Sequence, residues 1–138
     1  MPKKAFLICS VRDADDNTKH TQQQIVEDLE RQGWHVHWPP RDTNQVDPDG
    51  GINICRENRQ AIADADCVFI HFNPNSIGSH FDMGMTFAFA LEHGKKLCIL
   101  NREEVEAVAA ENLAGTGGKS FACMLLKWEA QQTPEGTV

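Results

Sequence analysis

Residues 66–72 of the chain have the sequence DCVFIHF, a nearly continuous apolar run flanked by polar segments. Such a run is typical of a strand buried on both faces of a parallel sheet. Two further runs have the same character, KKAFLICS at 3–10 and KKLCIL at 95–100. Because longer segments with helical periodicity separate these runs, the pattern predicts an α/β protein.

The remaining segments complete the alternation of strands and helices. WHVHWP at 34–39 and SFACMLLKW at 120–128 are predicted as further strands. Four segments with apolar residues at helical spacing are predicted as helices, at 18–33, 52–64, 79–93 and 102–113. We therefore expect a single-domain, doubly wound (flavodoxin- or Rossmann-like) parallel sheet of five strands with helices on both faces. The domain would cover residues 1–130, and residues 131–138 would form a frayed tail.

The composition narrows the class of protein. The 138 residues carry a net charge of −7 and no cluster of Lys and Arg, which argues against nucleic acid as a partner. No segment approaches the roughly 20 apolar residues that cross a membrane. The five cysteines are an odd number without C-x-x-C spacing, which favours a reducing compartment over a disulfide framework. We expect a cytoplasmic protein that binds neither nucleic acid nor membrane.

The expected strand order places a ligand crevice at the carboxyl ends of the first and third strands. These ends are CSVRD (9–13) and HFNPNSIGS (71–79). Backbone amides and an arginine after a strand, or the start of a helix, can receive an anion. The candidate residues are Ser10, Val11, Arg12, Ser76, Gly78 and Ser79. A surface loop with a solvated arginine, followed by a tight turn, explains the same residues without a ligand.

Asp82 has two interpretations. Ser79-x-x-Asp82 matches a capping box, in which the acid bonds back to the cap residue and helps the helix to start. Alternatively, Asp82 is a carboxylate that faces the crevice, which begins immediately before it. The helix dipole favours an ionised carboxylate in the first turn, as a nucleophile requires.

The predicted helix at 79–93 is apolar on two sides. Phe81, Met85 and Ala88 line one side, and a second set lines the other, namely Met83, Phe87 and Ala90. A helix that is apolar on both sides is buried on both sides. One side can cover the sheet, and the other indicates a homodimer packed through this helix. The alternative is a central helix embedded beneath its neighbours.

Three blocks of the chain together resemble the nucleoside 2-deoxyribosyltransferase superfamily. They are AFLICSVRD (5–13), NRQAIADADCVFIHF (58–72) and SIGSHFDMGMTFAFALEHGKKLCIL (76–100). The third block is the most specific, because it keeps the family's spacing of glycine, acid, glycine and Gly-Lys. Within the superfamily, the chain is most similar to the small 2'-deoxynucleoside 5'-phosphate N-hydrolases.

The resemblance implies cleavage or transfer of the N-glycosidic bond of a (deoxy)nucleoside or its 5'-monophosphate, without cofactor or metal. It implies that Asp82 is the nucleophile and that Asn58 stands at the second-acid position. Phe6 occupies the position of the family's first-strand tyrosine, and Ser10, Arg12, Ser76 and Ser79 would hold sugar or phosphate. The family usually has Glu, Asp and Tyr where this chain has Asp82, Asn58 and Phe6. The alternative function is therefore a nucleotide-binding or sensing module without catalysis, or a dimerisation scaffold with an unused crevice.

Two aromatic side chains near the crevice, those of His80 and Trp38, are candidates for contact with the base of a nucleoside. His80 neighbours Asp82 and could donate to a leaving base, although an exposed His in the first turn explains it equally well. Trp38 ends the second strand and could stack on a base, although packing is the more common role of tryptophan. His35 and His37 share one strand face with no third ligand nearby in sequence, so no metal site is predicted.

Overall fold

A computed structural model describes residues 3–12, 14–116 and 120–132 of the chain. Its strands are β1 (Lys3–Ile8), β2 (Trp34–His37), β3 (Cys67–Ile70) and β4 (Lys96–Ile99). Its helices are α1 (Asp16–Arg31), α2 (Pro39–Asp42), α3 (Ile52–Asp64), α4 (Ile77–His93), α5 (Arg102–Thr116) and α6 (Phe121–Ala130). Residues 133–138 of the predicted tail, and Asp13 of the first crevice loop, lie outside the described residues.

The four strands form one parallel sheet in the order β2-β1-β3-β4. Ala5 of β1 pairs with Val36 of β2 on one side and with Cys67 of β3 on the other. In β4, Leu97 pairs with Val68. The predicted α/β class and parallel sheet are confirmed. The first and third strands are neighbours, so their carboxyl ends meet at one edge of the sheet.

Side chains alternate between the two faces of the sheet and build two clusters of the core. Leu7 and Phe69 face α1, where Val26 and Leu29 complete one cluster. Phe6, Ile8, Val68 and Ile70 face the other way, and their cluster receives one or more buried side chains from each of α3, α4, α5 and α6, including Ile62, Met83, Val105 and Leu125. Helices therefore cover both faces of the sheet, with α1 on one face and α3, α4, α5 and α6 on the other.

The predicted fifth strand is wrong, because residues 121–130 form α6. Ser120 caps this helix, since its Oγ accepts a hydrogen bond from the amide of Cys123. Ala122 and Leu125 are buried three residues apart, while Met124 is exposed, which is helical spacing. A short apolar run cannot be assigned to strand or helix by composition alone, and here the cap and the packing against α5 determine the outcome.

The edge of β4, where a fifth strand would pair, is covered by side chains from the end of α6. The Gln132 amide donates to the Leu97 carbonyl at 2.7 Å and accepts from the Leu97 N–H at 3.0 Å. Glu129 accepts from the N–H of Ile99 at 2.9 Å. An unpaired strand edge carries polar backbone groups that need partners. The two side chains supply them, so the sheet stops at four strands.

The other predicted boundaries need only small corrections. α1 begins earlier than predicted, because Asp15 caps it by accepting from the amide of Thr18. β2 ends at His37, two residues earlier than predicted, and Pro39 begins α2, a single turn for which no helix was predicted. α4 ends at His93, as predicted, and Gly94 after it adopts φ +66°, a conformation that favours glycine at the end of a helix. No helix in the described parts of the chain is long and apolar enough to span a membrane.

Candidate active site

A cavity of about 620 Å³ lies where the sequence predicted the crevice, beside the ends of β1 and β3. Its walls come from the loop after β1, the segment leading into α3, and the first two turns of α4. Six of the predicted site residues line it, namely Val11, Arg12, Asn58, Ser76, Gly78 and Asp82. The fold thus brings residues that are distant in sequence together around one cavity.

Asp82 lies in the second turn of α4, which begins at Ile77. The capping-box interpretation is wrong, because Ser76 is the cap residue and its Oγ accepts from the amide of Ser79 at 3.2 Å. Asp82 is therefore free of any capping role and lines the cavity instead.

The Asp82 side chain is largely buried, and its carboxylate has no partner among the residues that the structure describes. The residue is 8% exposed, and in the described parts of the chain no group donates to its carboxylate or forms an ion pair with it. Burial raises the pKa of Asp82 to about 7, because desolvation penalises the charged form. The helix dipole, which the sequence predicted would keep the group ionised, has little effect beyond the first turn.

Asn58 faces the cavity from α3 and is 7% exposed. Its Oδ1 accepts a hydrogen bond from the Thr43 hydroxyl at 2.8 Å. Thr43 is in turn 2.8 Å from Nε2 of His37. Within the described residues, the Asn58 amino group has no hydrogen-bond acceptor. Asn58 and Asp82 are thus two buried polar side chains with unused hydrogen-bonding capacity at one cavity.

The start of α4 and the loop after β1 provide an electropositive wall. The amides of Ile77 and Gly78 are the first two of the helix and have no acceptor within it. Arg12 is exposed, and among the residues that the structure describes no carboxylate pairs with its guanidinium. Free amides at a helix start and an arginine side chain are suited to an anionic group such as a phosphate.

The other five predicted site residues lie outside the cavity wall, and three of them support the loops beside it. The carbonyl of Ser10 accepts from Nε2 of Gln22 at 2.8 Å, and Nε1 of Trp38 donates to Oε1 of the same glutamine at 3.1 Å. Ser79 is buried and accepts from the Ser76 hydroxyl at 2.9 Å. These side chains hold the loops in place without facing the cavity.

Phe6 and His80 also point away from the cavity. Phe6 is fully buried in the core and stacks on the His37 ring, with centroids 5.4 Å apart and planes inclined by 10°. His80 donates from Nδ1 to the Ser76 carbonyl at 2.7 Å, and its ring lies 4.7 Å from that of Phe121. The described residues contain no group of three or more His, Cys, Asp or Glu side chains that could hold a metal ion.

The segment before α3 forms a wall of the cavity that the sequence did not predict. Gly50 and Gly51 line the cavity with φ of +74° and +101°, a conformation that favours glycine. Asp47 holds this segment against α3, because its carboxylate accepts from the amides of Asn53 and Ile54. The DPDGG sequence signalled a turn, but no local pattern indicated that the turn faces the crevice. The other lining residues that the sequence did not single out are Cys9, Pro39, Gln45, Ile52, Ile54, Cys55, Ile77 and Phe81.

One side of α4 is exposed and largely apolar, and we call it the α4 apolar face, defined by Ile77, Phe81, Gly84 and Ala88. Ile77 is 87% exposed and Phe81 is 55% exposed. Gly84 and Ala88 continue the exposed strip along the helix. The opposite side packs in the core through Met83. The helix is therefore not embedded on all sides.

The two apolar sides predicted for this helix are divided differently in the structure. Met85, predicted beside Phe81 and Ala88, packs against the core. Phe87, predicted on the other side, is 39% exposed and lies edge-on to the ring of Trp128, with centroids 5.0 Å apart. The exposed apolar surface is thus the narrower strip that begins at the mouth of the cavity.

No family model matches the chain, and no curated protein matches it. A solved 2-deoxyribosyltransferase from Leishmania mexicana matches with a TM-score of 0.53 and 18% identity, over 71% of this chain and 63% of that chain. The solved CMP N-glycosidase BcmB from Clostridium botulinum matches with a TM-score of 0.46 and 25% identity, over 70% of this chain and 67% of that chain. The chain thus spans less than two thirds of the length of the first of these proteins. The first likeness shows that the chain shares the α/β fold of a 2-deoxyribosyltransferase.

Proposed function

We propose that the protein cleaves or transfers the N-glycosidic bond of a (deoxy)nucleoside or its 5'-monophosphate, with Asp82 as the nucleophile. The observation that carries the proposal is the pair of buried side chains, Asp82 and Asn58, whose carboxylate and amino group have no described partner at one cavity. Neither group is among the fully buried unpaired atoms of the described residues, so both stay accessible from the cavity and can pair with a ligand there. The shared fold of a 2-deoxyribosyltransferase supports the proposal.

The reaction takes place in two steps. The ionised carboxylate of Asp82 attacks C1' of the sugar, the C1'–N bond breaks, and its electron pair leaves with the base. A water or an acceptor base then attacks C1' and releases the carboxylate, and the proton from the attacking molecule balances the departed base. Asn58 cannot supply a proton, but its amino group can stabilise the leaving base by a hydrogen bond.

The electropositive wall supports a substrate with a 5'-phosphate. Arg12 together with the free amides of Ile77 and Gly78 can bind the phosphate oxygens. This arrangement agrees with the nucleotide-hydrolysing branch that the sequence resembles. We therefore place the 5'-monophosphate ahead of the free nucleoside as the substrate.

A homodimer packed through α4 belongs to the same proposal. The α4 apolar face leaves Ile77 and Phe81 exposed, and both side chains also line the cavity. Exposed Phe121 continues the apolar surface from α6, beside His80 of α4. A contiguous apolar surface of this kind is characteristic of an interface. A second copy of the chain seated on this face would cover both the apolar surface and the mouth of the cavity.

The test is incubation of the purified protein with ribo- and deoxyribonucleosides and their 5'-monophosphates, with detection of free base by chromatography. Asp82→Asn should lower base release by about 10³-fold or more, as expected for loss of a nucleophile. The matched control is Glu106→Gln, which removes one carboxylate from an exposed position on α5. Arg12→Ala should weaken use of the monophosphates more than that of the nucleosides. Equal turnover by wild type and Asp82→Asn contradicts the proposed role.

A second candidate function is a nucleotide-binding module without catalysis. It is favoured by Asn58, since a carboxamide at the second-acid position cannot protonate a leaving base. In this case a 5'-monophosphate raises the melting temperature of the protein in a saturable manner, and long incubation releases no base.

A further inference from the structure

A chain of three hydrogen-bonding side chains leads from the core to the cavity wall. It runs from His37 through Thr43 to Asn58, with both links 2.8 Å long. Thr43 is 4% exposed, and the Phe6 ring stacked on His37 restricts the imidazole from one side. No sequence pattern indicated this series of hydrogen bonds, and the role that we infer for it rests on the proposed function of the cavity.

The direction of each hydrogen bond follows from the number of protons available. The Thr43 hydroxyl has a single proton and donates it to Oδ1 of Asn58. Its oxygen therefore accepts from Nε2–H of His37. Burial lowers the pKa of His37, so the ring is neutral near pH 7 and carries its one proton on Nε2. The chain thus has one consistent direction, from His37 to Asn58.

This direction determines which hydrogen-bonding group of the Asn58 carboxamide faces a ligand in the cavity. Oδ1 is occupied by Thr43, so the carboxamide presents its amino group to the cavity. Rotation of the carboxamide by 180° would reverse both hydrogen bonds and require His37 to carry its proton on Nδ1 instead of Nε2. We infer that His37 and Thr43 are positioning residues that hold Asn58 as a hydrogen-bond donor, so that the site selects a base with an acceptor atom beside the glycosidic nitrogen. The O2 carbonyl of a pyrimidine and N3 of a purine are both such acceptors, so this contact binds the base without distinguishing the two classes. An analogue in which a C–H group replaces this acceptor, such as a 3-deazapurine, leaves the Asn58 amino group without a partner and binds more weakly.

The binding test compares 2'-deoxycytidine 5'-monophosphate with 2-deoxyribose 5-phosphate, which lacks the base, by isothermal titration calorimetry. Every protein in this comparison carries Asp82→Asn, so that the nucleotide is not cleaved during the titration, and wild type refers to position 43. Thr43→Val removes the hydroxyl at nearly constant volume and should weaken the nucleotide about 10-fold, as expected for one hydrogen bond. The sugar phosphate should bind the variant as it binds the wild type. Thr43→Ser keeps the hydroxyl and should restore nucleotide affinity to within about 2-fold of wild type.

A second measurement needs no ligand and no variant. Long-range ¹H–¹⁵N spectra of the wild-type protein near pH 7 report which nitrogen of His37 is protonated, and we expect Nε2–H. Observation of the Nδ1–H form overturns the proposed direction, even where Thr43→Val fails to fold.

The possible outcomes separate the inference from the proposed function. If Thr43→Val weakens the binding of both ligands equally, or of neither, the inferred selection of the base is overturned. This result would not contradict binding of the phosphate. Wild-type protein that binds the sugar phosphate as tightly as the nucleotide also overturns the inferred selection of the base. Failure of the wild type to bind either probe contradicts the proposed function together with base selection, and the His37 spectra then test the positioning chain alone.

Discussion

Asp82 is the residue on which the proposed chemistry depends, and its burial gives that chemistry a pH dependence. Only the ionised carboxylate can attack C1', and burial raises its pKa to about 7. The kcat/KM of base release should therefore rise about tenfold per pH unit below pH 6 and level off above about pH 7. A steady-state profile from pH 5 to 9 measures this. A profile that is flat across this range, or that falls between pH 6 and 8, contradicts an ionised nucleophile at this position.

The same burial makes Asp82 costly to stability when it is charged. Its pKa in the folded state is raised above that of an unfolded aspartate. The folded state is therefore most stable with respect to this group below about pH 4, and the free energy of unfolding falls as the pH rises through 7. Asp82→Asn should therefore gain free energy of unfolding relative to wild type as the pH rises, by up to about 4 kcal/mol at pH 8.

Urea unfolding at pH 5 and pH 8 measures this difference, with Glu106→Gln as the exposed control, which should show almost none. A gain that is the same at both pH values would mean that the carboxylate is not desolvated as the geometry indicates. Loss of activity combined with increased stability is the pattern expected when a functional group occupies a position that a neutral side chain would fill at lower cost.

At the scale of single elements, the end of α6 takes the place of a fifth strand. Gln132 satisfies both the N–H and the carbonyl of Leu97 at the edge of β4. Gln132→Leu should lower the free energy of unfolding by about 1–3 kcal/mol, because two backbone groups lose their partner. Chemical denaturation measures the loss. The neighbouring Gln131→Leu is the matched control, since Gln131 is exposed, and an equal loss in both variants contradicts the edge-covering role.

α4 is the element in which the difference between the predicted and the observed start of the helix matters most for the site. The sequence predicted its apolar character and its last residue, because both follow from local spacing. Its first residue was misplaced by two positions, since Ser76 and Ser79 are both good cap residues and only the structure shows which of them caps. That small difference moves Asp82 from the first turn to the second, and so from a capping role to the cavity.

At the scale of the whole molecule, the α4 apolar face predicts the oligomeric state. Ala88 is exposed on this face and does not line the cavity. Ala88→Glu should convert a dimer into a monomer, because each copy would bury an unpaired carboxylate in an apolar interface. Analytical ultracentrifugation measures the mass in solution. Ala110→Glu on α5 adds the same charge at another exposed position and should leave the dimer intact. A monomeric wild type contradicts the proposed interface.

The class of fold, the parallel sheet and the position of the crevice follow from the periodicity of the sequence. Periodicity records which side chains are buried, and burial on one or both sides is the main constraint on helices and strands. The position of Asp82 beside the crevice also follows from this pattern, whereas the resemblance of three blocks added Asn58, and both residues line the cavity. Their roles in catalysis stay predictions that the experiments above test.

The features that the sequence did not reveal depend on contacts between distant residues. Thr43 reaches Asn58 across 15 positions, and Leu97 pairs with Gln132 across 35. Such pairs leave no local pattern, because a buried polar side chain takes whichever partner the packing of the helices brings within about 3 Å. The sequence therefore specifies the layers of the fold and the residues at the crevice, whereas tertiary packing selects α6 over a fifth strand and sets the direction in which Asn58 donates.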